Sequence, residues 1–461
     1  MIIRRAFIAF CTAAAVQLAG CANAPSAGEL PPIVFVHGDG DTAAVWQTTI
    51  WRFESNGWPR ERLHAFSIPY PSARSEDAKP QPGRTSTAEQ MAYLKSEVDK
   101  VLQATGARQV VLMGNSRGAN TIRNYIQHGG GDKLVSHAVL GGGVNHGVQA
   151  VKGNNEGNEY AGTGPFMTAL NAPKNAAGDE VTGPVRWLTI RSDNNDKYAQ
   201  PDGLWIGAKG KPTNLTYAAP ELRGATNVVI PRVDHRESAF SPVAFDAAYR
   251  FLTGRAPQSL AIVAEARPAL SGKVTGLGLS STDPKSGNFV NNLPLPGAQL
   301  QIYAVDAATG ERRGAAAYGK TVGEDGSWGP FVADPAVRYE FVVDAPGYAT
   351  THIYRSPFPR SSSVVTLRAE RIADADKDAQ ALVLMTRPRG YLDPTRDGMS
   401  FDGQSPPPGA VGGAGAGIAT SRLKLVNPQS RPVIAEFNGE RVVGRSWPAA
   451  GNELAILELT Y

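Results

Sequence analysis

Gly114-Asn115-Ser116-Arg117-Gly118 sets one hydroxyl two residues from a glycine on either side. A serine oxygen becomes a nucleophile when a base takes its proton and its own backbone leaves it accessible. A sharp strand-to-helix turn meets the second condition, and glycines at 114 and 118 remove the side-chain volume that would block such a turn. Ser116 is therefore the candidate nucleophile for acyl transfer. A helix-capping serine in a glycine-rich loop is the competing reading.

Acyl transfer also needs two N–H donors where negative charge grows on the carbonyl oxygen. The amide of Arg117, next after the nucleophile, is expected to supply one. The amide of Asp39, in His37-Gly38-Asp39-Gly40, is expected to supply the other. His37 reads as a structural histidine orienting that loop. The base must come from elsewhere among the seven histidines, at 37, 64, 128, 137, 146, 235 and 352. His235 follows the apolar run 226–230 and precedes a helical stretch at 242–252, which gives the chain order serine, acid, histidine. His146 reads as pocket lining or loop packing, and His128 and His137 as ordinary surface or core residues. The acid belongs after the run 185–190, where Asp193, Asp196 and Asp202 compete. The spacing from Ser192, with Ala199 and Pro201 beyond, favours Asp196. Its task is to fix the imidazole tautomer and stabilise the imidazolium.

These residues need a scaffold that brings loop ends together. Short apolar runs at 33–36, 64–68, 109–113, 137–140, 185–190 and 226–230 alternate with helical stretches at 87–104, 117–127 and 242–252. Thr87 is the expected N-cap of the first. Alternation of this kind predicts a parallel sheet with helices on both faces. The long connection 147–183 holds one apolar cluster, Pro165 to Leu170, readable as a lid, an acyl-chain contact or a packing helix. After Pro257 the pattern changes to short strand-like runs separated by turn signals, which predicts small antiparallel sandwiches. Ser405 to Gly417 reads as a flexible loop or linker.

The totals fit a folded chain of two or three domains: 461 residues, 42% hydrophobic and 19% charged. A net charge of +4 offers no clustered basic footprint for nucleic acid. Arg4 and Arg5 precede the apolar run Ala6 to Val16, a signal-like pattern too short to span a bilayer as a mature helix. Leu18-Ala19-Gly20-Cys21 then resembles a bacterial lipobox, with Cys21 the lipidated residue. An ordinary signal peptide cut near Ala22 or Ala24 is the alternative. The only other cysteine, Cys11, lies in the signal, so neither a disulfide nor a cysteine-held metal is expected.

Residues 31–256 resemble the α/β-hydrolase family, and within it the bacterial lipases and esterases. Val36-His-Gly-Asp-Gly40, Gly114-Asn-Ser-Arg-Gly118, Asp196 and Asp234-His235 carry the resemblance. It implies an eight-strand-like sheet and ester hydrolysis without a cofactor. Asp39 stands where lipases often have an aliphatic residue, and Asn115 and Arg117 flank the nucleophile, so a more polar pocket mouth is expected. Residues 268–370 resemble the carboxypeptidase regulatory-like, transthyretin-like sandwich, on Leu295 to Ala298, Thr321 to Trp328 and Ala345 to Tyr348. Trp328, Tyr339 and Tyr348 read as core.

The expected organisation is a signal with lipobox (1–21), a tether (22–30), an α/β-hydrolase catalytic domain with a mainly parallel sheet (31–256), a β-sandwich (265–370) and a C-terminal β-rich domain (371–461). The expected protein is an exported serine hydrolase of carboxylic esters: a lipase, carboxylesterase or polyester depolymerase. Its expected partners are an ester or lipid substrate and a bacterial membrane reached through a lipid anchor, in the outer membrane or periplasm, with secretion the alternative. An amidase or peptidase on the same triad and an inactive surface-binding lipoprotein compete.

Overall fold

Continuous apolar runs form strands buried on both faces when helices cover a parallel sheet. Here the runs become β1 (Ile33–Val36), β2 (Leu63–Ala65), β3 (Val110–Asn115), β4 (Val135–Gly141), β5 (Arg186–Ser192) and β6 (Thr226–Ile230) in a computed structural model that describes residues 30–203, 211–276 and 290–461. The signal segment and Cys21 lie outside the described residues. All five strand pairings are parallel, in the order β2-β1-β3-β4-β5-β6. The sheet thus has six strands among the described residues, not the eight the resemblance implies, because the chain leaves it for the β half after the two helices that follow β6.

The helices are α1 (Gln47–Ser55), α2 (Thr87–Thr105), α3 (Arg117–His128), α4 (Pro165–Leu170), α5 (Glu237–Phe240) and α6 (Pro242–Thr253). Strand periodicity sends Val34, Val36 and Leu112 to a core with α2 and α3, and Ile33, Phe35 and Val111 to a second core with α1 and α6. Ser86, not Thr87, caps α2. Its hydroxyl accepts from the Glu89 amide at 3.2 Å, and the Glu89 carboxylate accepts from the Ser86 amide at 2.6 Å. Thr87 is engaged by Asp77 instead. The apolar cluster at 165–170 is α4, a packing helix. Met167 and Leu170 are buried, and Arg123 holds the Leu170 carbonyl at 3.1 Å.

The β half contains β7 (Ala269–Gly276), β8 (Gln299–Val305), β9 (Tyr318–Thr321), β10 (Ser327–Val332), β11 (Arg338–Asp344), β12 (Thr350–Arg355), β13 (Ser362–Ala369), β14 (Ala381–Thr386), β15 (Met399–Phe401), β16 (Thr420–Leu425), β17 (Pro432–Phe437), β18 (Glu440–Arg445) and β19 (Glu453–Glu458). Trp328, Tyr339 and Tyr348 are buried in its larger core, which also takes in Trp51 of α1. A seven-stranded sheet runs β16-β14-β19-β12-β11-β8-β9. β19 lies between β12 and β14 and pairs in parallel with both, so one sheet crosses the 370/371 division.

Candidate active site

Loops leaving the C-terminal ends of parallel strands converge on one edge of the sheet. The loops after β1, β3, β5 and β6 carry every residue singled out for chemistry. Ser116, between β3 and α3, has φ +53° and ψ −121°. A non-glycine residue there costs about 1–3 kcal/mol and persists only where its surroundings dictate it. They do so through close backbone approach. A Cβ on Gly118 would sit 2.5 Å from the Val36 carbonyl oxygen, and one on Gly114 would sit 2.8 Å from the Gly118 carbonyl. The Ser116 amide donates to the Gly141 carbonyl at 3.2 Å.

Arg117 opens α3, where amides lack an acceptor within the helix. Its side chain does not reach the pocket mouth, contrary to the sequence reading. It is buried and forked onto Glu159 at 2.8 and 2.6 Å, with further bonds to the Pro71 carbonyl and to Thr85. Burial opposes the guanidinium charge, but Glu159 and these bonds hold it cationic. Asn115, by contrast, does line the cavity, and its side-chain amide also braces the turn by donating to the carbonyls of Gly141 at 3.0 Å and His235 at 3.4 Å. Asp39 does line the cavity. Its carboxylate accepts from the Ala73 amide at 3.0 Å and the Tyr160 hydroxyl at 2.7 Å. Burial, reinforced by Asp39, pushes the Tyr160 phenol up, so it stays a donor.

His37 is buried beneath this loop. Its Nε2 accepts from the Ile68 amide at 3.0 Å, and its Nδ1 lies 2.8 Å from the Gly38 carbonyl, which fixes an Nδ1-protonated neutral ring. Burial lowers its pKa.

His235 Nδ1 lies 2.9 Å from the Asp196 carboxylate. Both residues are buried, and the Tyr198 ring packs on the imidazole at 4.4 Å. Nε2 of His235 is buried and makes no hydrogen bond among the described residues. Asp193 serves its own loop: its carboxylate accepts from Ser192, Asn194 and the Arg232 amide. Burial raises its pKa less than those bonds lower it. Asp202 is exposed on a turn. His146 packs loops, its ring lying 2.6 Å from the Ala219 carbonyl and 2.9 Å from Glu180.

Ser116 and His235 line one cavity of about 240 Å³ with Asp39, Asp41, Tyr160, Tyr198, Arg236 and Tyr391. Sequence reasoning missed Glu159, which pairs with Arg117, and Tyr391, which enters from the β half. Among the described residues no group of three or more His, Cys, Asp or Glu is arranged to hold a metal ion.

Residues 31–173 match the family model for lipase (class 2), and residues 267–372 match that for the lipase C-terminal domain. Over these stretches the chain is similar to class 2 lipases, and its parallel sheet flanked by helices fits an α/β-hydrolase core. The C-terminal match covers the sandwich that the sequence reading compared to a carboxypeptidase regulatory-like module. Among solved structures, Aspergillus fumigatus lipase B is 13% identical, with 51% of this chain and 55% of that one covered and a TM-score of 0.36. The present chain thus spans little more than half of that lipase. Bacillus licheniformis lipase BlEst2 in its mature form is 17% identical over 49% of this chain and 92% of that one, with a TM-score of 0.35. Bacillus subtilis carboxylesterase CesB is 15% identical over 49% and 85%, with a TM-score of 0.29.

Proposed function

We propose that this hydrolase cleaves short-chain carboxylic esters through an acyl-enzyme on Ser116, with His235 as base and Asp196 as its orienting acid. One observation carries the reading. An imidazole bound to a buried carboxylate presents an unpartnered nitrogen in the cavity that a strained serine also lines. Hydrogen bonds of a catalytic site often close only with substrate bound, so Nε2 awaits the Ser116 hydroxyl as its donor.

In the reaction His235 takes the Ser116 proton as Oγ adds to the ester carbonyl. The oxyanion takes the amides of Arg117 and Asp39. The imidazolium, held by Asp196, returns the proton to the departing alcohol, leaving the acyl-enzyme. Water, deprotonated by the same Nε2, then releases the acid and restores Ser116.

The cavity supports a short acyl group. It is smaller than the ~300–1,000 Å³ usual for drug-sized ligands, with Asp39, Asp41 and Arg236 adding polar groups to a lining built largely of valines and tyrosines. The test is labelling with a fluorophosphonate. The folded protein should be labelled at Ser116, and Ser116→Ala should abolish both labelling and turnover of p-nitrophenyl acetate. A folded wild-type protein that resists labelling would sink the proposal.

The lipobox-like Leu18 to Cys21 supports a second reading, export with lipid anchoring at Cys21. Cys21→Ser should then move the protein from the membrane fraction to the soluble one. Unchanged fractionation refutes it.

A further inference from the structure

Tyr391 reaches the catalytic cavity from outside the hydrolase domain. It lies in the loop after β14, yet it lines the same cavity as Ser116 and His235. Its backbone is fixed on both sides. The amide donates to Asp234 at 2.6 Å, and the carbonyl accepts from Arg387 at 2.8 Å and Arg396 at 3.2 Å. Its ring is flanked by cations, with Lys197 Nζ 4.1 Å and the Arg236 guanidinium 5.7 Å from the ring centre. Even the neighbouring position is constrained: a Cβ on Gly390 would fall 2.1 Å from the Arg387 guanidinium. An aromatic ring held this firmly is a fixed wall of the cavity.

We infer that Tyr391 is a specificity-determining residue that limits the acyl chain the cavity admits. The β half thereby selects substrates for the hydrolase half. The inference rests on the reading of Ser116 as an esterase nucleophile. Val144 and Val148 supply apolar lining for a short chain, and the rings of Tyr198 and Tyr391 bound the remaining space. Removing one of those rings should lengthen the accepted chain, and enlarging it should shorten that chain.

The test uses the full chain and p-nitrophenyl esters from acetate to decanoate, with fluorophosphonate labelling of Ser116 run in parallel. Tyr391→Ala should raise the octanoate-to-acetate ratio of kcat/KM by about tenfold or more, since one methylene in a pocket is worth at least that order. Tyr391→Phe should keep the wild-type ratio, and Tyr391→Trp should lower it. An unchanged ratio in Tyr391→Ala with labelling intact overturns the inference and leaves the esterase reading standing. Failure of the folded wild-type protein to label removes both. Should Tyr391→Ala not fold, Tyr391→Trp decides, and an unchanged ratio there overturns the inference.

Discussion

Ser116 and His235 share one small cavity but are held by different means. Everything that fixes Ser116 lies within the hydrolase domain: the β1 and β3 ends, the glycines at 38, 114 and 118, and the Arg117–Glu159 pair behind the turn. The acid and histidine loops lean on the β half. Lys197 donates to the Gly417 carbonyl at 2.6 Å, and the Gly415 amide donates to Asn195 at 2.9 Å. Next to His235, Asp234 and Glu237 are gripped by Arg387 and Arg396. Serine geometry is thus a local backbone matter, whereas histidine geometry depends on docking of a region more than 150 residues away in sequence. The docked β half thus helps to hold the loops that bring Asp196 and His235 together.

The sharpest way to break the contrast is at the acid. Asp196→Asn keeps the shape but favours the wrong imidazole tautomer, so kcat should fall by roughly 10⁴. Asp193→Asn should change kcat little, because Asp193 bonds only its own loop and the Arg232 amide. Steady-state kinetics on both variants checks this. Comparable losses in the two would mean that the loop acts as a whole and not through Asp196.

A second measurement separates docking from chemistry. Arg396→Met removes a side chain shared by Glu237 and Asp234. Breaking a buried pair typically costs about 3–5 kcal/mol, and the low end applies because Arg387 still faces both carboxylates. The melting temperature should fall and cleavage by protease in the 257–267 connection should rise. The loss in kcat should stay far below that of Asp196→Asn. Protease resistance equal to wild type would show that the clamp does not hold the two halves together.

The smallest effect concerns His37, on the nucleophile side. Its folded pKa lies below the ordinary histidine value, so the folded state binds its proton less readily than the unfolded chain. The associated stability is fully present above about pH 6.5 and is lost as pH falls from there toward the lowered value. Protonation would also take the acceptor from the Ile68 amide. His37→Gln should flatten the decline of melting temperature below about pH 6.5. An identical decline in wild type and variant would show that His37 does not set it.

What the sequence made legible follows the same division. The glycine-flanked serine, the His37 loop and the strand-helix alternation are signalled by neighbours in the chain. The approach of Asp196 to His235 is legible because strand order fixes where their loops must emerge. The Ser86 cap was misplaced by one residue, since Thr87 is equally suited by type and only Asp77 claims it for another bond. Arg117 was misread as lining the mouth because Glu159, its partner, carries no local mark. Tyr391, Arg387 and Arg396 sit in a stretch that reads as ordinary turn between strands. Their roles depend on tertiary approach to Asp234, which no spacing within the loop encodes.

The place of β19 between β12 and β14 bears on how the β half is made. Parallel pairing across a long stretch of chain forms slowly. Until β19 arrives, β12 and β14 each present an open edge able to pair with another molecule. A fragment ending at residue 372, where the lipase C-terminal domain match stops, would leave the β12 edge uncovered for good. Such a fragment should aggregate on expression, and a synthesis pause before residue 453 should raise the chain's demand for chaperones.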